Sequence, residues 1–112
     1  MQFAVVGTAV IVGAGSRYDF GRQVRRVVDI GDRLVVLLDP QDGSPIAENI
    51  VCVNSTGQLL WRVERFVGPH GHTPYGEISV NADGRISAHN LSGIMAILDP
   101  RSGRVVDSYV AK

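Results

Sequence analysis

The feature that most constrains the fold is an apolar run in the middle of the chain, residues 34–38 (LVVLL). Branched apolar side chains favour a β-strand, and successive side chains of a strand point to opposite faces. Both faces of this strand are therefore apolar, so it needs covering layers above and below. The sequence predicts a central strand in a layered β structure.

Neighbouring segments extend this strand into a four-stranded antiparallel unit. Residues 24–30 are rich in Val and are separated from the central strand by residues 31–32 (GD), a two-residue hairpin signal. A second apolar run, residues 50–53, follows a loop that contains Pro and Gly. The turn at residues 54–57 (NSTG) then leads to a last strand at residues 59–63.

The second half of the chain repeats this order. Strand patterns occur at residues 77–81, 85–90, 93–98 and 104–110. Each segment between two of these strands contains a glycine suited to a tight turn. We therefore expect a single β domain with two copies of one unit, residues 24–64 and residues 77–110, joined by a Gly- and Pro-rich connector at residues 65–76. Before them, residues 9–12 (AVIV) predict an N-terminal strand, and residues 13–23 predict a loop.

Each unit ends in a hairpin whose turn carries Asn or Asp together with Gly. Residues 54–61 (NSTGQLLW) resemble the tryptophan-docking repeat of pyrroloquinoline-quinone-type β-propellers, in which a Thr-Gly turn precedes a Trp on the outer strand. Residues 97–106 (ILDPRSGRVV) resemble the same repeat, with Asp107 at the Trp position. The resemblance covers residues 33–110 and implies a scaffold of blades. It implies no catalytic or quinone-binding residue, because no residue of this chain matches the quinone-binding or metal-binding residues of that family.

The predicted fold is thus all-β, with two four-stranded antiparallel propeller-blade-like sheets plus an N-terminal strand. Blades bury their faces against neighbours on both sides, so two of them do not close a ring. Either the sheets fold face to face as a small sandwich, or several chains assemble. We interpret the chain as a non-enzymatic protein-binding or scaffold module that binds a protein partner or self-associates as a homo-oligomer.

Composition and charge exclude two classes of partner. The 11 basic and 11 acidic side chains are scattered, so no stripe of positive charge is present for nucleic acid or an anionic membrane. The apolar N-terminal stretch is interrupted by Gly7 and Thr8 and is shorter than the ~20 residues of a membrane-spanning helix. The single Cys52 lies between valines and predicts a buried thiol rather than a disulfide or a nucleophile. We expect a cytoplasmic protein.

One alternative is a dinucleotide-dependent enzyme. Residues 9–12 followed by Gly13 and Gly15 fit the start of a dinucleotide-binding unit, provided that a helix covers residues 20–30. Tyr18 stands where the third glycine of that pattern belongs, and its bulk obstructs close packing of helix and strand.

The other alternative is a metal-dependent enzyme. His70 and His72 are spaced so that two imidazoles of an extended segment reach one ion, and His89 would complete an open zinc site. No carboxylate flanks them, and a solvated loop explains the pair as well. We therefore predict no metal and no cofactor.

The expected recognition surface is formed by the loops at residues 16–21, 39–48 and 66–76. Loop aromatics provide contact area at little entropic cost. The candidate recognition residues are Arg17, Tyr18, Phe66, His70, His72 and Tyr75.

Overall fold

The structure, a computed structural model, describes residues 1–40, 48–64, 67–68 and 71–111, with the backbone alone at residues 67, 68, 71 and 72. Every regular element in these ranges is a β-strand: β1 (Phe3–Val6), β2 (Ala9–Val12), β3 (Ser16–Asp19), β4 (Val24–Asp29), β5 (Arg33–Leu38), β6 (Ile50–Asn54), β7 (Leu59–Arg62), β8 (Val67–Gly68), β9 (Gly71–His72), β10 (Tyr75–Val80), β11 (Ile86–Asn90), β12 (Ile94–Leu98) and β13 (Val105–Val110). The all-β prediction is confirmed. No helix long and apolar enough to cross a membrane occurs in the described ranges.

The described strands form three larger antiparallel sheets and one short hairpin. The first sheet has the order β1-β2-β3, the second β4-β5-β6-β7 and the third β10-β11-β12-β13, while β8 pairs with β9. Within each larger sheet, every strand pairs with the strands next to it in sequence, which is the meander expected of a propeller blade. The two predicted four-stranded sheets are confirmed.

The N-terminal region contains more strand than the sequence predicted. A two-residue turn at Gly7 and Thr8 joins β1 to β2, and the turn at residues 13–15 leads into β3. Gly7 has a φ of +59°, a backbone conformation that glycine adopts without a steric penalty. The loop predicted at residues 13–23 is therefore wrong at Ser16–Asp19, which pairs with β2 along its whole length.

The second sheet lies between the other two. Leu34 and Val36 of β5 belong to a buried cluster shared with the first sheet. Val35 and Leu37, on the opposite face, belong to a buried cluster shared with the third sheet. All four side chains are fully buried. The prediction that this strand has covering layers on both faces is correct.

The predicted connector has structure of its own in its described part. β8 and β9 form a hairpin in which Val67 lies opposite His72, and β10 already begins at Tyr75. Residues 65–66 and 69–70 lie outside the described residues. The division of the chain into two units and a connector stays a prediction.

Candidate functional site

Trp61, on β7, joins the second sheet to the third. Its indole N–H donates a hydrogen bond to the Pro100 carbonyl oxygen, in the turn between β12 and β13, with an N to O distance of 2.9 Å. A Cβ atom built at Gly103 would lie only 2.3 Å from the indole Cε3 atom. The Trp of one sheet thus docks on the turn of the next, and this contact requires glycine at position 103.

A buried amide joins the same two sheets at the other end of their strands. The Asn49 side chain donates hydrogen bonds to the carbonyl oxygens of Leu38 and Tyr75, both at 2.8 Å, and accepts one from the Tyr75 backbone N–H at 2.9 Å. Asn49 is fully buried. An amide does not titrate, so its role here is to pair backbone groups between the sheets.

The first and second sheets meet at Gly57, where a Cβ atom would lie 3.5 Å from the Ser16 Cβ atom at the start of β3. Between these sheets lies a cavity of about 90 Å³ whose walls include Arg22 and Arg62. Burial, followed by the like charge of Arg62, lowers the pKa of Arg22. The cavity is far smaller than the roughly 300 Å³ or more of a small-molecule pocket.

The innermost strands of the second and third sheets, β4 and β10, lie side by side. The Nε atom of Arg26 lies 3.3 Å from the Glu77 Oε1 atom, and both side chains are about half exposed. β4 is an edge strand of the second sheet and β10 is an edge strand of the third. We call the side of the stack on which these two strands lie the inner edge. Both strands carry a register shift against their neighbour, between Val24 and Arg26 and between Tyr75 and Glu77.

In the first sheet, β1 is the strand on that side, and each of its four residues is exposed. Phe3 and Val5 pair with Val12 and Val10, so they face the second sheet, yet they are 39% and 44% exposed. Ala4 and Ile11 lie on the opposite face, where they line an open depression of about 470 Å³ whose wall also includes Phe3. We call this opposite side the first end face.

The third sheet also keeps one open face. Ala96 and Leu98 are buried against the second sheet, so alternation places Met95 and Ile97 on the other side. Tyr109 lies opposite Met95 in the register and is 54% exposed. Among the described residues no sheet covers this side, which we call the second end face.

Two of the predicted recognition residues, Arg17 and Tyr18, lie on β3 rather than in a loop. Tyr18 pairs with the buried Val10 and packs against Phe20, with ring centroids 4.8 Å apart. Arg17, one residue earlier, points to the opposite face and forms an ion pair with Asp19 at 3.6 Å. The two side chains therefore do not form one patch.

The structure places Tyr75 away from the protein surface. Tyr75 begins β10 and is 1% exposed, and burial raises its pKa to about 12. Its prediction as an exposed loop aromatic is wrong, because the strand starts earlier than the Gly and Pro residues around it suggest. Phe66, His70 and the side chain of His72 lie outside the described residues, so their recognition role stays a prediction.

The dinucleotide alternative fails on the fold. Gly13 and Gly15 belong to the turn between the antiparallel strands β2 and β3. A phosphate cradle needs the N-terminus of a helix after such glycines. Residues 24–29, inside the segment that this alternative requires to be helical, form β4 instead.

The metal alternative gains no ligand set from the described residues, which contain no group of three metal-ligating side chains. His89 lies on β11 and is exposed. Cys52 is fully buried, as predicted, and burial raises its pKa to about 12, which keeps it a thiol rather than a nucleophilic thiolate.

Sequence reasoning missed β1 and the residues that form the two end faces. The signal for β1 was present, since residues 3–6 (FAVV) and 9–12 (AVIV) flank a Gly-containing pair, which is a hairpin pattern. The exposure of Tyr109 follows from the order of the sheets, which is a property of the whole fold.

Comparison with solved structures supports the fold. BamB from Moraxella catarrhalis, whose fold is a propeller of the pyrroloquinoline-quinone repeat type, matches with a TM-score of 0.60 and 18% sequence identity over 99% of this chain. The chain spans 35% of the length of BamB. At this identity the likeness concerns the fold alone. No match was found among curated proteins.

A family model matches almost the whole chain. The match covers residues 1–110, so all three larger sheets lie inside it. The family is described as a domain of unknown function, so membership assigns no activity. The chain belongs to this family, DUF7957.

Proposed function

We propose that this chain is a non-enzymatic protein-interaction module of the propeller-repeat type. The observation that carries the proposal is the pair of open end faces on a stack of sheets that otherwise pack face to face. Exposed apolar surface of this kind is typical of sites that bind other proteins. The module acts by presenting rigid sheet surfaces, and the proposal assigns it no catalytic residue.

The finer proposal is that copies of the chain associate through the end faces. The first end face offers the depression beside Ala4 and Ile11, and the second presents the Tyr109 ring. The contact proposed is head to tail between these two different surfaces, which gives a ring where the rotation closes and an open filament where it does not. The packing of sheet on sheet inside the chain supports this, because association repeats the same kind of contact between copies.

Sedimentation velocity over a series of concentrations tests this proposal. The variant Tyr109→Ser removes the aromatic ring of the second end face, and Leu91→Ser is the matched control. Leu91 is 55% exposed, against 54% for Tyr109, but lies in the turn between β11 and β12. We expect wild type and Leu91→Ser to associate alike and Tyr109→Ser to need a higher concentration. Identical behaviour of all three proteins contradicts association through this face.

The proposal retains a cytoplasmic location, which the lone, buried Cys52 supports. It also retains Arg17 as a recognition residue, since its side chain is 54% exposed beside the first end face.

A further inference from the structure

We propose that the first sheet accepts an extended segment of a partner protein as a fourth strand, paired antiparallel with β1. This inference rests on the proposed function and names the chemistry of one partner. The binding groups are the backbone N–H and C=O groups of β1, and the partner contributes alternating apolar residues and one acidic residue.

The first observation is that β1 occupies the second position of a blade. The turns from β4 to β5 and from β6 to β7 lie at the end of the sheets where Trp61 docks, as the pairing of Arg33 with Asn54 shows. The turn from β1 to β2 lies at the other end. At that end, the Gly7 carbonyl oxygen accepts a hydrogen bond from the Val24 N–H at 3.0 Å. In the next pair of sheets, the Asn49 Oδ1 atom accepts the corresponding hydrogen bond from the Tyr75 N–H.

It follows that β1, β2 and β3 correspond to β5, β6 and β7. The position of β4 in the second sheet, and of β10 in the third, has no counterpart among the described strands of the first sheet. The vacancy lies beside β1, on the inner edge.

The backbone of β1 is arranged to bind a strand there. The Gln2 carbonyl accepts a hydrogen bond from the Gly13 N–H, so Gln2 directs its backbone groups at β2. Because these directions alternate along an antiparallel strand, Phe3 and Val5 direct their N–H and C=O groups away from β2. The vacant side of β1 thus presents two donors and two acceptors.

This edge also lacks the features that protect other edges in the chain. Proteins prevent unwanted pairing with charges, proline or bulges at an edge strand. β4 and β10 have such protection, since β4 carries Arg25 and Arg26, β10 carries Glu77, and both have a register shift. β1 (FAVV) carries no charge and no proline, and its register with β2 is unbroken. An unprotected apolar edge is the requirement for β-strand addition.

Among the described strands, the first sheet has one strand fewer than the second and the third, so the vacancy corresponds to a single strand. A single missing strand argues for an extended segment over the edge of a second copy's sheet. In the neighbouring pair of sheets, the innermost strands approach closely enough for the ion pair between Arg26 and Glu77. A segment beside β1 has β4 as its neighbour in the same way. Its apolar residues would cover the exposed Phe3 and Val5, and an acidic residue would meet Arg25, which is exposed on β4.

A peptide that reproduces this chain's own inner strand provides the probe. Residues 73–82 (TPYGEISVNA) contain β10 and its acidic residue, and a fluorescein-labelled peptide of this sequence is titrated into the whole protein by anisotropy. The variant Val5→Pro removes one N–H on the vacant side without removing a bond to β2. The matched control Val5→Thr keeps that N–H and a β-branched side chain.

We expect saturable binding, weakened about tenfold by Val5→Pro and less than about threefold by Val5→Thr. In the wild-type protein, the peptide should slow hydrogen exchange at the Phe3 and Val5 amides and leave the Ala4 amide, which is bonded to β2, unchanged. This second measurement remains decisive if Val5→Pro fails to fold.

The proposal is overturned by the absence of saturable binding, by equal affinities of wild type and Val5→Pro, or by unchanged exchange at Phe3 and Val5. A lower solution mass of Val5→Pro in the absence of peptide also overturns it, because a second copy would then occupy the edge. The role of the end faces is decided separately by Tyr109→Ser, so the two proposals can fail independently.

Discussion

The ring of Trp61 lies where a side chain at Gly103 would have to be. This contact, together with the hydrogen bond to Pro100, holds the turn of the third sheet against the outer strand of the second. Gly57, in the turn between β6 and β7, packs in a similar way against Ser16 of the first sheet. Because similar contacts join each sheet to the next, the three sheets form a stack with two open end faces. The proposed function assigns protein binding to these end faces.

Gly103→Ala should destabilise the protein more than Gly84→Ala. Both glycines have positive φ, +73° and +78°, so alanine is strained at either place by about 1 kcal/mol. Only at Gly103 does the new Cβ atom meet the Trp61 ring, whereas nothing lies within 4 Å at Gly84. We expect an additional loss of about 1–3 kcal/mol in the free energy of unfolding, measured by urea denaturation. Equal losses would mean that the ring does not dock on Gly103 in solution.

Trp61→Ala should lower the free energy of unfolding by about 3–5 kcal/mol, because a large and nearly buried side chain is lost between two sheets. Trp61→Phe keeps a ring in place and loses the hydrogen bond to Pro100, so a smaller loss of about 1–2 kcal/mol is expected. Chemical denaturation measures both. A loss below about 1 kcal/mol for Trp61→Ala would contradict a structural role of this contact.

Asn49→Asp should destabilise the protein at neutral pH by about 3 kcal/mol or more. A buried carboxylate cannot donate to the carbonyl oxygens of Leu38 and Tyr75 and instead repels them. Asn54→Asp is the control. The Asn54 Oδ1 atom accepts backbone hydrogen bonds in an exposed turn, and the Asn54 amide donates only to the exposed Gln58 side chain. Thermal denaturation at pH 7 compares the two variants. A small effect of Asn49→Asp would show that the amide does not join the sheets.

Stability should decrease below about pH 4, in part through Asp29. Hydrogen bonds from the Gly31 N–H and from the N-terminal ammonium hold the pKa of Asp29 below its usual value of 3.8. A lowered folded-state pKa contributes stability above pH 3.8 that is lost as the pH falls through the folded-state value. Urea denaturation at several pH values should give Asp29→Asn a smaller acid-induced loss than wild type. The same acid-induced loss in both proteins would show that Asp29 does not contribute to the pH dependence of stability.

The second and third sheets were predictable because their signals are local. Alternating apolar residues, glycine turns and the run at residues 34–38 each act over a few residues. The partners of those sheets were not predictable in this way. Trp61 is hydrogen-bonded to Pro100, which is 39 residues away in the sequence, and Asn49 is hydrogen-bonded to Tyr75, which is 26 residues away.

The same distinction explains the errors in the candidate site. Tyr75 follows Gly and Pro residues that are typical of a loop, but its backbone is paired by the distant Asn49, which makes it the first residue of a strand. The exposure of Val5 is the reverse case. Its apolar run indicates burial, yet no described strand occupies the adjacent position that would cover it.

The most direct test of the central claim is the solution mass of the wild-type protein, measured by light scattering across a range of concentrations. The open end faces predict a mass that rises above the 12.1 kDa of one chain as the concentration increases. A mass of 12.1 kDa at every concentration would contradict association through the end faces.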